Sequence, residues 1–192
     1  MKNSKSGFTL VELLIVIVVI VILATITLVT YKGATDRAYN AQILSGVQQY
    51  RDAMRAYYAS AGRYPQTSRE VSGQSIAMTC LGTGYPSGFC GKVTGVDTFE
   101  DATFNIQISS LIGTTPIVSS QNINVLNESF VGAVYGIDVT QFSSTGKART
   151  IQYALLGTGQ DCTLSGAKGY AISSTPPTTA CEIILEETPA DS

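Results

Sequence analysis

The hydrophobic positions of this chain fall into three unlike patterns. From Phe8 to Val29 runs FTLVELLIVIVVIVILATITLV, apolar at nearly every position, with Glu12 its one charge. Between residues 31 and 61 the apolar positions thin out. Ile43, Val47, Tyr50, Met54, Tyr57 and Ala61 recur there at spacings of four and three. Beyond Gly62 the chain becomes rich in Gly, Ser, Thr and Pro, with short apolar runs between them. The first pattern predicts a helix apolar all round, the second an amphipathic helix, and the third strands joined by turns.

As a helix, residues 8–29 would reach about 33 Å, enough to cross a bilayer core of about 30 Å. The many Val and Ile residues would favour a strand in water. In lipid a lone strand leaves its backbone polar groups unpaired, so helix wins. Tyr31 and Lys32 follow as an aromatic and basic interfacial anchor. Lys2 and Lys5 lie in the polar leader MKNSKSG, which puts residues 1–7 on the cytoplasmic side and the chain beyond Lys32 outside. A cleavable secretory signal has an apolar stretch of roughly 7–15 residues and a small-residue cleavage site. This run is longer, and Ala24-Thr25-Ile26 is a poor site. A plain single-span anchor explains the apolar run and the lysines, but not Glu12. A carboxylate this deep in an apolar segment marks function.

Residues 31–61 continue the helix without proline. Asp36, Arg37, Gln48, Arg51, Asp52 and Arg55 fall mostly off the apolar face, which reads as core. Gly33 and Gly46 each weaken a helix by about 1 kcal/mol relative to Ala. Gly33 marks a place for a bend where the helix leaves the membrane. Gly62 reads as the C-terminal cap and Tyr64-Pro65 as the stop.

In residues 62–192 the expected elements are shorter. Residues 66–100 read as a long loop that carries Cys80 and Cys90 around the turn-rich LGTGYPSGF. Thr103–Ile112 fits a strand through Phe104, Ile106 and Ile108, or a helix face through Phe104, Ile108, Leu111 and Ile112. A short helix is favoured. Phe130–Val139 reads as a strand, with Thr150–Leu156 its hairpin partner. Gly169–Ser173 and Cys181–Leu185 are shorter strand candidates. Strands grouped without helices between them predict an antiparallel sheet, one face packed on residues 35–61. The expected class is α+β: a long N-terminal helix followed by a β-rich head.

Composition then narrows the chemistry. The chain has 192 residues, no His and no Trp, and 12 basic against 14 acidic side chains. Without His there is no His-based triad, general base or metal site. The charge balance gives no basic footprint for nucleic acid. The glycines near residue 84 have no lysine at the Walker position and no strand–helix context, so they make no phosphate loop. No catalytic residue, metal or cofactor is expected. Four cysteines on the exported side imply two disulfides, with three pairings open. Their spacings do not suit a zinc site, which wants close Cys pairs. Cys80–Cys90 and Cys162–Cys181 are favoured because each would close a loop short of core anchors, worth about 3 kcal/mol by loop entropy. Asp161, Glu182, Glu186, Glu187 and Asp191 lack the spacing of a calcium loop and read as a solvated acidic tail. Asn127-Glu128-Ser129 matches a glycosylation sequon. Ser173–Thr179 reads as an exposed loop.

Gly7-Phe8-Thr9-Leu10-Val11-Glu12-Leu13, with its basic leader and the apolar helix after it, resembles the processing motif of bacterial type IV pilins and type II secretion pseudopilins. The motif covers residues 1–30, and the Gly-Arg-Tyr-Pro run after the helix resembles the family layout. The resemblance implies four segments: a leader at 1–7, a membrane and filament-core helix at 8–30, its amphipathic continuation at 31–61, and a disulfide-containing head at 62–192. It implies that a prepilin peptidase cuts between Gly7 and Phe8 and that the new amine of Phe8 is methylated. Loss of the leader leaves ten basic against fourteen acidic residues. Glu12 would pair with the Phe8 amine of a neighbouring subunit, since a buried amine needs a partner. A simpler reading has Glu12 favoured by the dipole at a helix N-terminus. Cys162–Cys181 resembles the C-terminal disulfide loop of many pilins. The implied partners are further copies of the chain, the peptidase and N-methyltransferase, the assembly platform protein, minor pilins, and the membrane before assembly. No specific nucleic acid is implied. Implied use is adhesion, motility or DNA uptake. A secretion pseudopilin is one alternative, and a membrane-tethered binding module that never polymerises is another. In one respect the chain departs from the family. Many members carry Gly or Pro inside the apolar helix, and none stands between Phe8 and Tyr31 here, so a mid-helix unfolding is less assured.

Overall fold

A computed structural model describes residues 9–93, 95–113, 118, 122–125, 128–139, 146–172 and 174–187. The chain divides into two compact units, Met1–Ala38 and Tyr39–Ser192. Helix α1, Leu10–Ala61, is continuous through both, and neither Gly33 nor Gly46 interrupts it. Gly62 follows its last turn, donating its N–H to the Tyr58 carbonyl.

The second unit holds the remaining elements: α2 Ser68–Val71, β1 Ala77–Cys80, β2 Phe89–Val93, β3 Val96–Phe99, α3 Ala102–Ile112, β4 Asn122–Val125, β5 Glu128–Val131, β6 Ala133–Val139, β7 Lys147–Leu156, β8 Ala167–Ile172, β9 Ser174–Thr175 and β10 Thr178–Glu187. The class is α+β, as expected, but the single predicted sheet is two. One has the order β1-β6-β7-β10-β8, the other β3-β2-β5-β4-β9. Their paired neighbours are antiparallel.

The amphipathic stripe of α1 enters the core of this unit. Ile43, Val47, Tyr50 and Met54 are buried, joined by Tyr39 and Ala53, which the sequence pattern did not single out. They pack in one cluster with Tyr135, Ile151, Tyr153, Leu155 and Ile183 of the first sheet. Tyr57 is half-buried, and Ala61, assigned to the same face, is exposed in the helix's last turn. Asn40 fastens the helix to a strand end. Its amide donates to the Leu156 carbonyl at 3.0 Å and accepts from the Leu156 N–H at 2.8 Å. Gly46 also has a packing reason. A Cβ there would come within 2.9 Å of the buried Val118 side chain.

Several expectations need correction. Residues 66–100 are not one long loop, for they contain α2, β1, β2 and β3. These strands have four or five residues, and β1 is buried at all four positions, so no polar–apolar alternation marks it. Phe130–Val139 is not one strand. Gly132, at φ +73°, breaks it and passes the chain from β5 in the second sheet to β6 in the first. Ser173–Thr179 is not simply an exposed loop. Ser174–Thr175 forms β9, while Thr178 and Thr179 are buried in β10. The Thr179 hydroxyl accepts from the Gln160 N–H and donates to the Gly157 carbonyl, which makes its burial tolerable. Position 173 lies outside the described residues.

Thr103–Ile112 is helical, within α3. Phe104 and Ile108 are buried while Ile106 is 75% exposed, so the period is that of a helix and not a strand. Asp101 caps it by accepting from Phe104 N–H at 2.9 Å, and also takes the N–H of Ser68 at the start of α2. Thr150–Leu156 lies within β7, which pairs with β6 as expected.

β1 and β6 approach closely where Met78 faces Gly136. A Cβ on Gly136 would collide with the Ala77 carbonyl oxygen and lie 2.8 Å from Met78 Cα. Backbone cannot swing aside as a side-chain tip can. Gly136→Ala is therefore expected to destabilise the protein by about 2–4 kcal/mol, in the upper range for single substitutions. Thermal unfolding of the detergent-solubilised chain checks this, and an unchanged midpoint would contradict it.

Candidate functional site

Two places carry chemistry that the fold alone does not require. The first is the N-terminal end of α1. Thr9 is its N-cap and Glu12 stands at the third helical position, which makes Thr9-Leu10-Val11-Glu12 a capping box. The Thr9 N–H donates to Glu12 Oε2 at 2.8 Å, and the Glu12 N–H donates to Thr9 Oγ1 at 3.3 Å. In addition the Thr9 hydroxyl donates to the same Oε2 at 2.7 Å. Glu12 is thus the helix-start carboxylate that the macrodipole reading anticipates, held by two donors of its own chain.

From Leu10 to Leu23 every large apolar side chain is at least 46% exposed. Polar interruptions are absent there apart from Glu12. Thr25, further along, returns its hydroxyl to the Val21 carbonyl at 2.8 Å, which hides its polarity. Tyr31 and Lys32 are exposed where the apolar run ends. This is the one helix among the described residues long and apolar enough to cross a membrane. Burying each such Val, Leu or Ile is worth about 1.5–3 kcal/mol. The segment therefore calls for lipid or protein around it. Gly7 and Phe8 lie outside the described residues.

The second place is the head. Cys80 is bonded to Cys90 and Cys162 to Cys181, with Cα–Cα distances of 5.9 and 5.8 Å. The cysteines are not in poorly anchored loops. Cys80 ends β1 and Cys90 lies in β2, so that bond joins a strand of each sheet, and both residues are buried. Cys162–Cys181 ties the segment before β8 to β10, with Gly169 so close that a Cβ would lie 2.6 Å from Cys162 Sγ.

The acidic C-terminal stretch is not one solvated tail. Glu182 is buried in β10 and accepts from the Gln152 amide at 3.3 Å, and Glu186 lies 3.4 Å from Arg149. Asp161 is exposed. Asp191, like Asn127 of the sequon, lies outside the described residues. Among the described residues no three His, Cys, Asp or Glu side chains gather as a metal site would need.

Sequence reasoning missed a buried cluster. Arg149 on β7 makes a two-pronged pair with Glu70 on α2, at 2.6 and 2.9 Å. Its Nη1 also reaches the Tyr135 hydroxyl and the Pro65 carbonyl, and Tyr135 itself donates to Pro65 at 2.6 Å. Burial opposes charge on Glu70, but hydrogen bonds and charge from Arg149 outweigh it and hold the carboxyl below its ordinary range. Burial likewise pushes the Tyr135 phenol up. No local pattern could have revealed a set drawn from residues 65, 70, 135 and 149.

The prokaryotic N-terminal methylation motif matches residues 2–28. The chain is 34% identical over 68 residues to the type IV major pilin protein PilE1 of Neisseria gonorrhoeae. It is 32% identical over 84 residues to a fimbrial protein of Neisseria meningitidis serogroup B. In its N-terminal part the chain is similar to type IV pilins. These alignments take in 35% and 40% of this chain, and 41% and 49% of the two relatives. The chain thus spans less than half the length of the curated relatives it matches. No solved structure matches it. The motif coincides with the capping box and the exposed apolar helix.

Proposed function

We propose that this chain is a structural pilus subunit that polymerises through its N-terminal helix. A prepilin peptidase cuts between Gly7 and Phe8, and the Phe8 amine is methylated. Residues 8–30 hold the precursor in the cytoplasmic membrane as a single span with the head outside. Residues 31–61 continue the helix into a head at 62–192. The apolar helices then leave lipid and bury one another in an extracellular filament. Repetition of one head-to-tail contact that does not close yields a fibre. The implied partners are other copies, the peptidase and methyltransferase, the assembly platform and minor pilins. The chain itself performs no catalysis. Adhesion, motility or DNA uptake would be set by the heads.

The observation that carries this reading is the exposed apolar helix with a single carboxylate at its start. Intact mass spectrometry of the shear-released surface fraction tests it. The expected species begins at Phe8, one methyl group heavier and four hydrogens lighter than the unmodified reduced chain. A chain that still begins at Met1 and stays in the membrane would overturn it in favour of a tethered module. Processed protein that stays in the membrane would point to a pseudopilin.

A further inference from the structure

The geometry points to a binding site for an aliphatic primary ammonium, in a groove of the head between the Cys80–Cys90 loop and helix α3. Thr83 of the loop and Ala102, Asn105, Ile106 and Ser109 of α3 line it together with Glu100, and its volume is about 470 Å³.

Both walls are held in place. The disulfide closes the loop, and Glu100 Oε1 accepts from the N–H groups of Gly84 and Tyr85 at 2.7 and 2.6 Å. Asp101 caps α3, and the Gln107 amide ties it to the Gln66 carbonyl at 2.8 Å. A groove fixed in advance spares a ligand the cost of ordering it.

Glu100 brings a negative charge, and among the described residues no lysine or arginine forms an ion pair with it. Its Oε1 is committed to the two backbone donors, so Oε2 is left to receive a ligand. A guanidinium fork wants both oxygens of a carboxylate, whereas an ammonium is satisfied by single oxygens set at different angles. Asn105 supplies a second. Its Oδ1 is closed to solvent and has no hydrogen-bond partner, an unmet acceptor that a small turn of the side chain would offer to the groove. Ser109 Oγ donates to the Ile106 carbonyl at 3.1 Å and keeps its lone pairs for a third contact.

Ile106 is 75% exposed, more than any other large apolar side chain described between Tyr39 and Glu187. It lies one turn from Ala102 on α3, and the two form an apolar strip on the groove. Such a strip suits an ammonium on an alkyl stem, which lays its methylenes along it. One carboxylate and one amide are too few oxygens for calcium. Among the described residues no aromatic ring lines the groove to hold a quaternary ammonium. The ammonium can come from a free alkylamine or from a lysine in peptide linkage, and the probes distinguish the two.

The isotope-labelled full chain in detergent is titrated at low salt with pentylammonium and with N-acetyl-lysine methylamide, while the NMR signals of Asn105 and Ile106 are followed. Pentanol and N-acetyl-arginine methylamide are the controls. Pentylammonium is expected to bind at least about fivefold more tightly than pentanol, the scale of one exposed ion pair. Glu100→Gln keeps an acceptor for Gly84 and Tyr85, and should weaken pentylammonium by the same factor without moving the thermal midpoint. Ile106→Ser should weaken pentylammonium more than methylammonium, because only the longer ion reaches the apolar strip. Equal binding of pentanol would overturn the assignment, as would a preference for the arginine derivative or unchanged affinity in Glu100→Gln. Should Glu100→Gln unfold, the pentanol comparison and Ile106→Ser decide. Binding of both ammonium probes would support a site open to lysine on a chain, and binding of pentylammonium alone would support a site for a free amine.

Discussion

Glu12→Ala is expected to leave membrane insertion intact and to abolish shear-released filaments. The apolar helix that inserts is untouched by the change, and loses a polar group rather than gaining one. In the proposed filament the amine on Phe8 would be buried among apolar helices, where an unpaired charge costs about 3–5 kcal/mol. Each subunit addition would bear that cost, so the equilibrium for growth falls by more than about a hundredfold. Glu12→Gln is the sharper variant. Glutamine completes a capping box as well as glutamate does, so the helix start at Leu10 persists while the charge is lost. Both variants should accumulate in the membrane fraction, and immunoblots of membrane and sheared fractions measure this. Native filament yield from Glu12→Gln would show that Glu12 serves only the helix.

Arg149→Met is expected to destabilise the head by about 3–5 kcal/mol, because it leaves the Glu70 carboxylate without its cation. The pair is well removed from water, with side chains 7% and 11% exposed. Tyr135 and Pro65 lose a donor in the same step, which loosens the turn after α1. Glu186 contributes little, since its side chain is 46% exposed. Acid sensitivity follows from Glu70. Its folded pKa lies below the ordinary 4.5, so the unfolded chain takes up the proton first. The stabilisation is fully present above pH 4.5 and is lost as pH falls through the folded value. Arg149→Met removes the cause of the lowering, so the stability gap from the native chain should narrow as pH falls below 4.5. Urea unfolding of the detergent-solubilised chain at neutral and acid pH tests both parts. A gap that is constant with pH would show that Arg149 acts by packing alone. The double variant Arg149→Met with Glu70→Leu should recover much of the loss, because it leaves no buried charge.

The sequence by itself determined the N-terminal third of this protein. Helix periodicity is local, so the apolar run, the stripe from Ile43 to Met54 and the end at Gly62 could be read directly. Glu12 was conspicuous because a charge inside an apolar run is costly wherever the chain folds. Thr9 was legible in principle from its spacing to Glu12, but the apolar run drew attention away from its start. The tertiary structure alone decided the arrangement of the head. Sheet pairing joins residues far apart in the chain, and no short window records it. β9 pairs with β4 across some fifty residues, and one glycine, Gly132, decides which sheet receives each half of an apolar run. Burial of Glu182 and Thr179 depends on partners supplied by other strands, so polar residues that read as tail and loop became interior. The Arg149–Glu70 pair has the same cause. Long-range electrostatics inside a β-rich head is a property of where strands meet, and only folding brings those residues together.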